Sequence, residues 1–172
     1  MYMDTGLFIL RLVIGLIFMG HGAQKLFGWF GGHGLAGHTT MMEKVDVHPP
    51  RFWAWVSALG EFLGGLGLVL GLLTPLAATA LIGPMLVAII KVQWPNGFWN
   101  TNRGIEFPLV LAVVAFVIGL VGPGLYSLDT SLGLSLPEPL TFGGALVAMA
   151  VTVAIALISP ILAGNQEAEV NH

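Results

Sequence analysis

The sequence predicts an all-α protein, a polytopic bundle of transmembrane helices. Three observations carry this. Hydrophobic residues make up 56% of the 172 positions and charged residues 9%, with a mean hydropathy of +0.88, whereas soluble domains carry about 25% charged residues. Five apolar segments approach the roughly 20 residues that a helix needs to cross a bilayer core. Basic residues and tryptophans gather at alternate connections, as they do when successive helices cross a membrane.

The first segment, Leu7–Phe27, has no basic n-region and is interrupted by Arg11, so it reads as a retained helix rather than a signal peptide. Phe52–Leu73 follows, with Gly60, Gly64, Gly67 and Gly71 at small-xxx-small spacing for close helix packing. A very short connection leads to Leu76–Val92, and Thr74-Pro75 reads as an N-cap followed by a first-turn proline. Pro84 should bend or loosen this third helix. Ile105–Val121 ends at Gly122-Pro123-Gly124, and Phe142–Leu162, which has no ionisable residue, is expected to be a peripheral span.

Several function classes are excluded or disfavoured. A net charge of −3 offers no basic surface for nucleic acid. Without cysteine the chain cannot itself form a disulfide, bind an iron–sulfur cluster or run thiol chemistry. Any redox role needs a bound molecule or a partner. His33, His38 and His48 lie in a Gly-rich connection without zinc-site spacing, so no metal is expected. Haem would need His21 to pair with a loop histidine, for which nothing in the spacing argues. No phosphate loop and no nucleophile–base–acid arrangement is present.

If all five segments span, the first and third connections share one membrane face. Lys25, Lys44, Arg51, Lys91 and Arg103 lie there with all five tryptophans, and Arg11 alone lies toward the other face. The positive-inside rule then places loops one and three in the cytoplasm, the N-terminus outside and the C-terminus inside.

Polar groups concentrate at that basic face. Gln24 and Lys25 follow His21 at i+3 and i+4, on one helical face. Glu61 enters on the second helix about nine residues in, or roughly 13 Å along its axis, which is comparable in depth to His21. Lys91 and Gln93 close the third helix, and Glu106 opens the fourth. An ionisable group at helix centre costs on the order of 2.5–3.5 kcal/mol, so Glu61 should face inward and pair with His21, Lys25 or Arg11. Arg11 continues the His21 seam through Ile14 and Phe18 and could turn inward from the far half or snorkel outward. Such a pocket suits the polar head of a lipophilic molecule, or a proton relay.

HGAQKLFGWFGGHGLAG, GEFLGGLGLVLGLLTPLAA, WPNGFW and GPGLYSLD together resemble the DoxX family of small bacterial membrane proteins. The resemblance implies a four-helix core over residues 1–132, in the cytoplasmic (inner) membrane. Residues 133–172 then form a linker, a fifth transmembrane helix over 142–162 and a short acidic tail. The family is associated with quinone-linked respiratory and thiosulfate oxidation, and its membrane polar positions fall on His21, Gln24, Lys25, Glu61 and Glu106. Lys91 and Arg11 join them here as candidate pocket residues. The fifth segment goes beyond the four-helix pattern, and Gln93 stands where a histidine is expected in many relatives.

The leading expectation is a subunit or accessory of a quinone-linked membrane redox system, without independent activity, holding a quinone and serving a membrane or peripheral redox partner. Glycine-lined helices make a homo-oligomer a further expectation. A small-molecule or proton transporter along the same polar cluster, and a scaffold or assembly protein, are the alternatives.

Overall fold

The computed structural model describes residues 2–134, 136–137 and 140–170, the last ten as backbone alone. His172, whose side of the membrane the sequence reading addressed, lies outside them, as do the side chains of the acidic tail. The described residues form helices α1 (Tyr2–Phe27), α2 (Gly34–Lys44), α3 (Pro50–Leu70), α4 (Thr74–Val87), α5 (Glu106–Val121), α6 (Leu128–Ser131) and α7 (Leu140–Val170). The architecture is an all-α bundle, as expected.

Among the described residues, four helical stretches are long and apolar enough to cross a membrane: Tyr2–Phe27, Pro50–Leu70, Thr74–Asn96 and Leu140–Pro160. α5, with 16 residues, is shorter; at 1.5 Å per residue it extends about 24 Å against a hydrocarbon core of about 30 Å. The first helix also starts earlier than the apolar run, because Tyr2–Gly6 continue it without a breaker.

Packing begins with glycines. A Cβ on Gly15 would meet Gly65 O at 2.6 Å, and one on Gly65 would meet Gly15 O at 2.6 Å. The α1 and α3 backbones therefore touch. Gly64 and Gly67 use the opposite flank of α3, against Leu81 and Ala77 of α4. The glycine stripe of the second segment thus serves packing within the chain. Behind it, Phe18, Leu68, Leu81, Ala115 and Ile118 form a core that is fully buried.

Three local readings change. The connection between α1 and α3 is not all loop, because α2 folds within it and buries His38 and Met42. Thr74 is not a side-chain cap: it is the first residue of α4, and the Asp129 carboxylate accepts hydrogen bonds from Leu73 N, Thr74 N and Thr74 Oγ1 at 2.7–2.9 Å. α4 runs through Pro84 and widens into a π-turn over Ala88–Gln93, so its irregularity falls a turn beyond the proline.

The bundle has two distinct ends. At one, loop two meets the loop after α5 through Asp129, and Asp4 of α1 approaches Leu125. At the other, Lys91 donates to Asp46 O at 3.3 Å, and His48 N donates to Ser159 Oγ of α7 at 2.8 Å. The connections thus gather at two ends of the bundle.

Candidate functional site

The glycines of HGAQKLFGWFGGHG set the end of α1. Gly28, Gly31 and Gly34 adopt positive φ, a region open to glycine at little cost. The chain can then fold back until a Cβ on Gly32 would lie 2.4 Å from Gln24 O, and Gln24 Nε2 donates to Phe30 O at 3.2 Å. Gln24 is thus occupied in holding this turn. Lys25, one residue on, points the other way.

Lys25 Nζ lies 2.5 Å from Glu61 Oε1, and Glu61 is fully buried on α3. Of the three partners considered for Glu61, the fold selects Lys25. One turn before Glu61, Ser57 Oγ accepts from Lys25 Nζ at 3.4 Å and lies 3.3 Å from His38 Nε2. Elements α1, α2 and α3 therefore meet in a continuous polar chain, Glu61–Lys25–Ser57–His38. Burial, and then the nearby Lys25 charge, push the His38 imidazole down to about 4, so it is neutral at pH 7.

This chain borders a cavity of about 400 Å³ between α2, α3, α4 and α7. Lys25, Ser57, His38 and Gln93 supply its polar lining at one end, and Trp53, Val87 and Val153 belong to its apolar walls. Among the described residues, neither Gln93 Oε1 nor Glu61 Oε2, both buried, has a hydrogen-bond partner. Buried polar atoms are normally satisfied. The volume lies in the range typical of small-molecule sites, about 300–1,000 Å³.

The remaining sequence-predicted residues go elsewhere. His21 packs edge-on against Phe107, ring centroids 5.9 Å apart, and among the described residues no hydrogen bond ties it to Glu61. Glu106 Oε2 accepts from Asn100 N at 2.8 Å and so closes the loop that follows WPNGF. Lys91 ties the ends of α2 and α4 through Asp46 O.

Arg11 neither reaches Glu61 nor snorkels. It is 1% exposed, at the opposite end of the bundle, and donates to the carbonyls of Pro123 and Tyr126. The GPGLYSLD segment folds around its guanidinium, with Asp129 close enough to interact electrostatically. The seam through Ile14 and Phe18 does turn Arg11 inward, as its spacing indicated, but toward different partners.

Sequence reading missed His38 and Ser57 as cavity residues and did not assign α7 to any site. His38 is invisible because α2 is short and follows a glycine-rich turn. Ser57 offered one usable signal: it stands one turn before Glu61 and so shares its face.

Comparison with known proteins supplies the frame. The model of the family described as DoxX matches residues 6–94. The chain is 28% identical over 126 residues to "Putative oxidoreductase CatD" of Bacillus subtilis, covering 73% of this chain and 86% of that protein. It is 28% identical to an uncharacterized membrane protein of Mycobacterium tuberculosis, covering 72% and 78%, and 27% identical to inner membrane protein YqjF of Escherichia coli, covering 73% and 91%. No solved structure matches the chain.

Proposed function

The chain belongs to the DoxX family of membrane proteins, and on that premise we propose that it holds a quinone in the cavity beside Lys25, Ser57 and His38, as a subunit or accessory of a membrane redox system. The observation that carries this reading is the cavity's polarity: Lys25, Ser57, His38 and Gln93 gather at one end of a chamber within a membrane bundle whose other hydroxyls, on Thr79 and Thr152, are bonded within their own helices. The name of the Bacillus relative is in keeping with it.

The lining suits the head group in both redox forms. A quinone carbonyl needs donors, and Lys25 Nζ and the Ser57 hydroxyl can supply them. A quinol hydroxyl needs acceptors, and Gln93 Oε1 is buried and accepts no hydrogen bond among the described residues. Lys25 is compensated by Glu61 and His38 is neutral at pH 7, so the polar end carries no net charge and favours an uncharged head over a phosphate or carboxylate. The quinone would supply the two-electron chemistry. Because the chain has no cysteine, electrons would reach it from a partner protein.

The basic and tryptophan-rich end, where Lys25, Lys44, Arg51, Lys91 and Arg103 lie, is proposed to face the cytoplasm, with the protein in the inner membrane as its Escherichia relative's name states for that protein.

The test is mass spectrometry of the organic extract from protein purified in mild detergent. Wild type should retain a quinone, and Ser57→Ala and His38→Ala should retain several-fold less. A quinone-free wild type, together with no binding of added decyl-benzoquinone, would overturn the reading.

A further inference from the structure

We propose that the half of the cavity walled by α4 and α7 is a separate subsite for a long hydrocarbon tail, open sideways to the bilayer, so that the ligand is a lipid-soluble molecule entering between α3 and α7. This deepens the head-group reading above.

Length is the first argument. Gln93 and Thr79 both line the cavity, and they stand fourteen residues apart on α4 and its π-turn extension. At 1.5 Å per residue that is about 20 Å, several times a single ring. A volume of about 400 Å³ spread over such a length makes a slot rather than a bowl. The lysine, imidazole and amide groups gather at the end near Gln93, while the Thr79 and Thr152 hydroxyls elsewhere in the lining donate back to Pro75 O and Ala148 O of their own helices. Beyond that end the walls are Gly60, Ala80, Gly83, Met149 and Val153.

Access is the second. α7 packs against α4, and makes at most marginal contact with α3 among the described residues. Yet α3 and α7 both line the cavity, so it lies in the gap between them. Three lining residues are themselves exposed: Val56 of α3, Ala80 of α4 and Thr152 of α7. They lie within helices long enough to span, so the opening they frame faces acyl chains rather than water.

Adaptability is the third. Met149 lies where a Cβ on Gly83 would be 3.3 Å from its Cγ, so the small residue on α4 makes room for a flexible thioether at the α4–α7 seam. Met41 and Met42 line the same cavity from α2. α7 lies beyond the family match at residues 6–94, so this wall comes from outside the matched segment.

Bilayer hydrocarbon solvates a tail about as well as the slot does, so the subsite governs route and orientation more than affinity. The test therefore reads contact. Protein in lipid vesicles is photolabelled with a benzoquinone carrying a diazirine at the end of a decyl tail, and separately with a phosphatidylcholine carrying the same tail. Saturable quinone labelling should fall on Met149, Thr152 or Val153. It should drop at least fivefold in Ala80→Trp and in Thr152→Trp, two plugs from different helices, and persist in Val151→Trp on the outer face of α7.

Saturable labelling confined to the outer positions Val147, Val151 and Ile155, or unchanged by both plugs, would overturn the subsite. If the slot residues are labelled saturably by the phospholipid probe, with no competition from decyl-benzoquinone, the tail subsite stands and the quinone reading fails.

Discussion

Lys25 Nζ and Glu61 Oε1 lie 2.5 Å apart, one at the last turn of α1 and the other fully buried in the fourth turn of α3. The pair joins two helices whose backbones touch at Gly15 and Gly65, and at Gly22 against Phe62. Removing one charge would strand the other inside the bundle, whereas removing both would leave apolar surface against apolar surface. Lys25→Met is therefore expected to destabilise by about 2 kcal/mol, since the ammonium keeps some solvent contact and the full buried-pair cost does not apply. Lys25→Met with Glu61→Leu should recover most of that. Thermal unfolding in mild detergent compares the three proteins, and a single variant as stable as wild type would refute the pairing.

His38 gives a pH dependence with a definite sign. Its folded value is about 4, against an ordinary value of 6.5, so between those limits the unfolded chain binds the proton and the folded chain does not. Stability from this group is full above about pH 6.5 and falls as the pH drops toward 4, by up to about 3 kcal/mol. His38→Gln should flatten that part of the profile. Unfolding measured from pH 7.5 to 4.5 for both proteins checks it; parallel profiles would show that His38 titrates normally.

His21 and His38 separate the structure from the sequence pattern. His21 contacts Phe107 and not the cavity. His21→Ala should change retention of added decyl-benzoquinone by less than twofold, while Ser57→Ala should lower it several-fold. Equilibrium dialysis in detergent distinguishes them, and the reverse order would return His21 to the site.

Asp129 performs at the far end what the sequence suggested for Thr74. Its carboxylate accepts from two backbone N–H groups and one hydroxyl at the start of α4. Asp129→Ala should cost about 2–3 kcal/mol through the lost charged cap. Ligand retention should stay unchanged, because none of these atoms lines the cavity. A loss of ligand at unchanged stability would contradict that separation.

Much of the architecture was legible in the linear order of residues. Apolar runs near membrane length located the helices, and the gathering of lysine, arginine and tryptophan assigned their ends to two faces. Glu61 announced itself as a residue that must find a partner, since a buried carboxylate is costly alone. Spacing also gave its depth. Depth is a coordinate along the helix axis, set by 1.5 Å per residue, and the sequence determines it well.

What the sequence left open is the angle at which each helix faces its neighbours. That angle depends on where glycines allow backbones to touch and on how connections fold, both of which involve residues far apart in the chain. It sent Lys25 rather than His21 to Glu61, and turned Arg11 to the GPGLYSLD carbonyls. It folded α2 back so that His38 completed the polar chain, and set α7 along α4 as the wall of a cavity. The helices and their depths are local consequences of composition and period; the site is a consequence of their mutual rotation, which only tertiary packing decides.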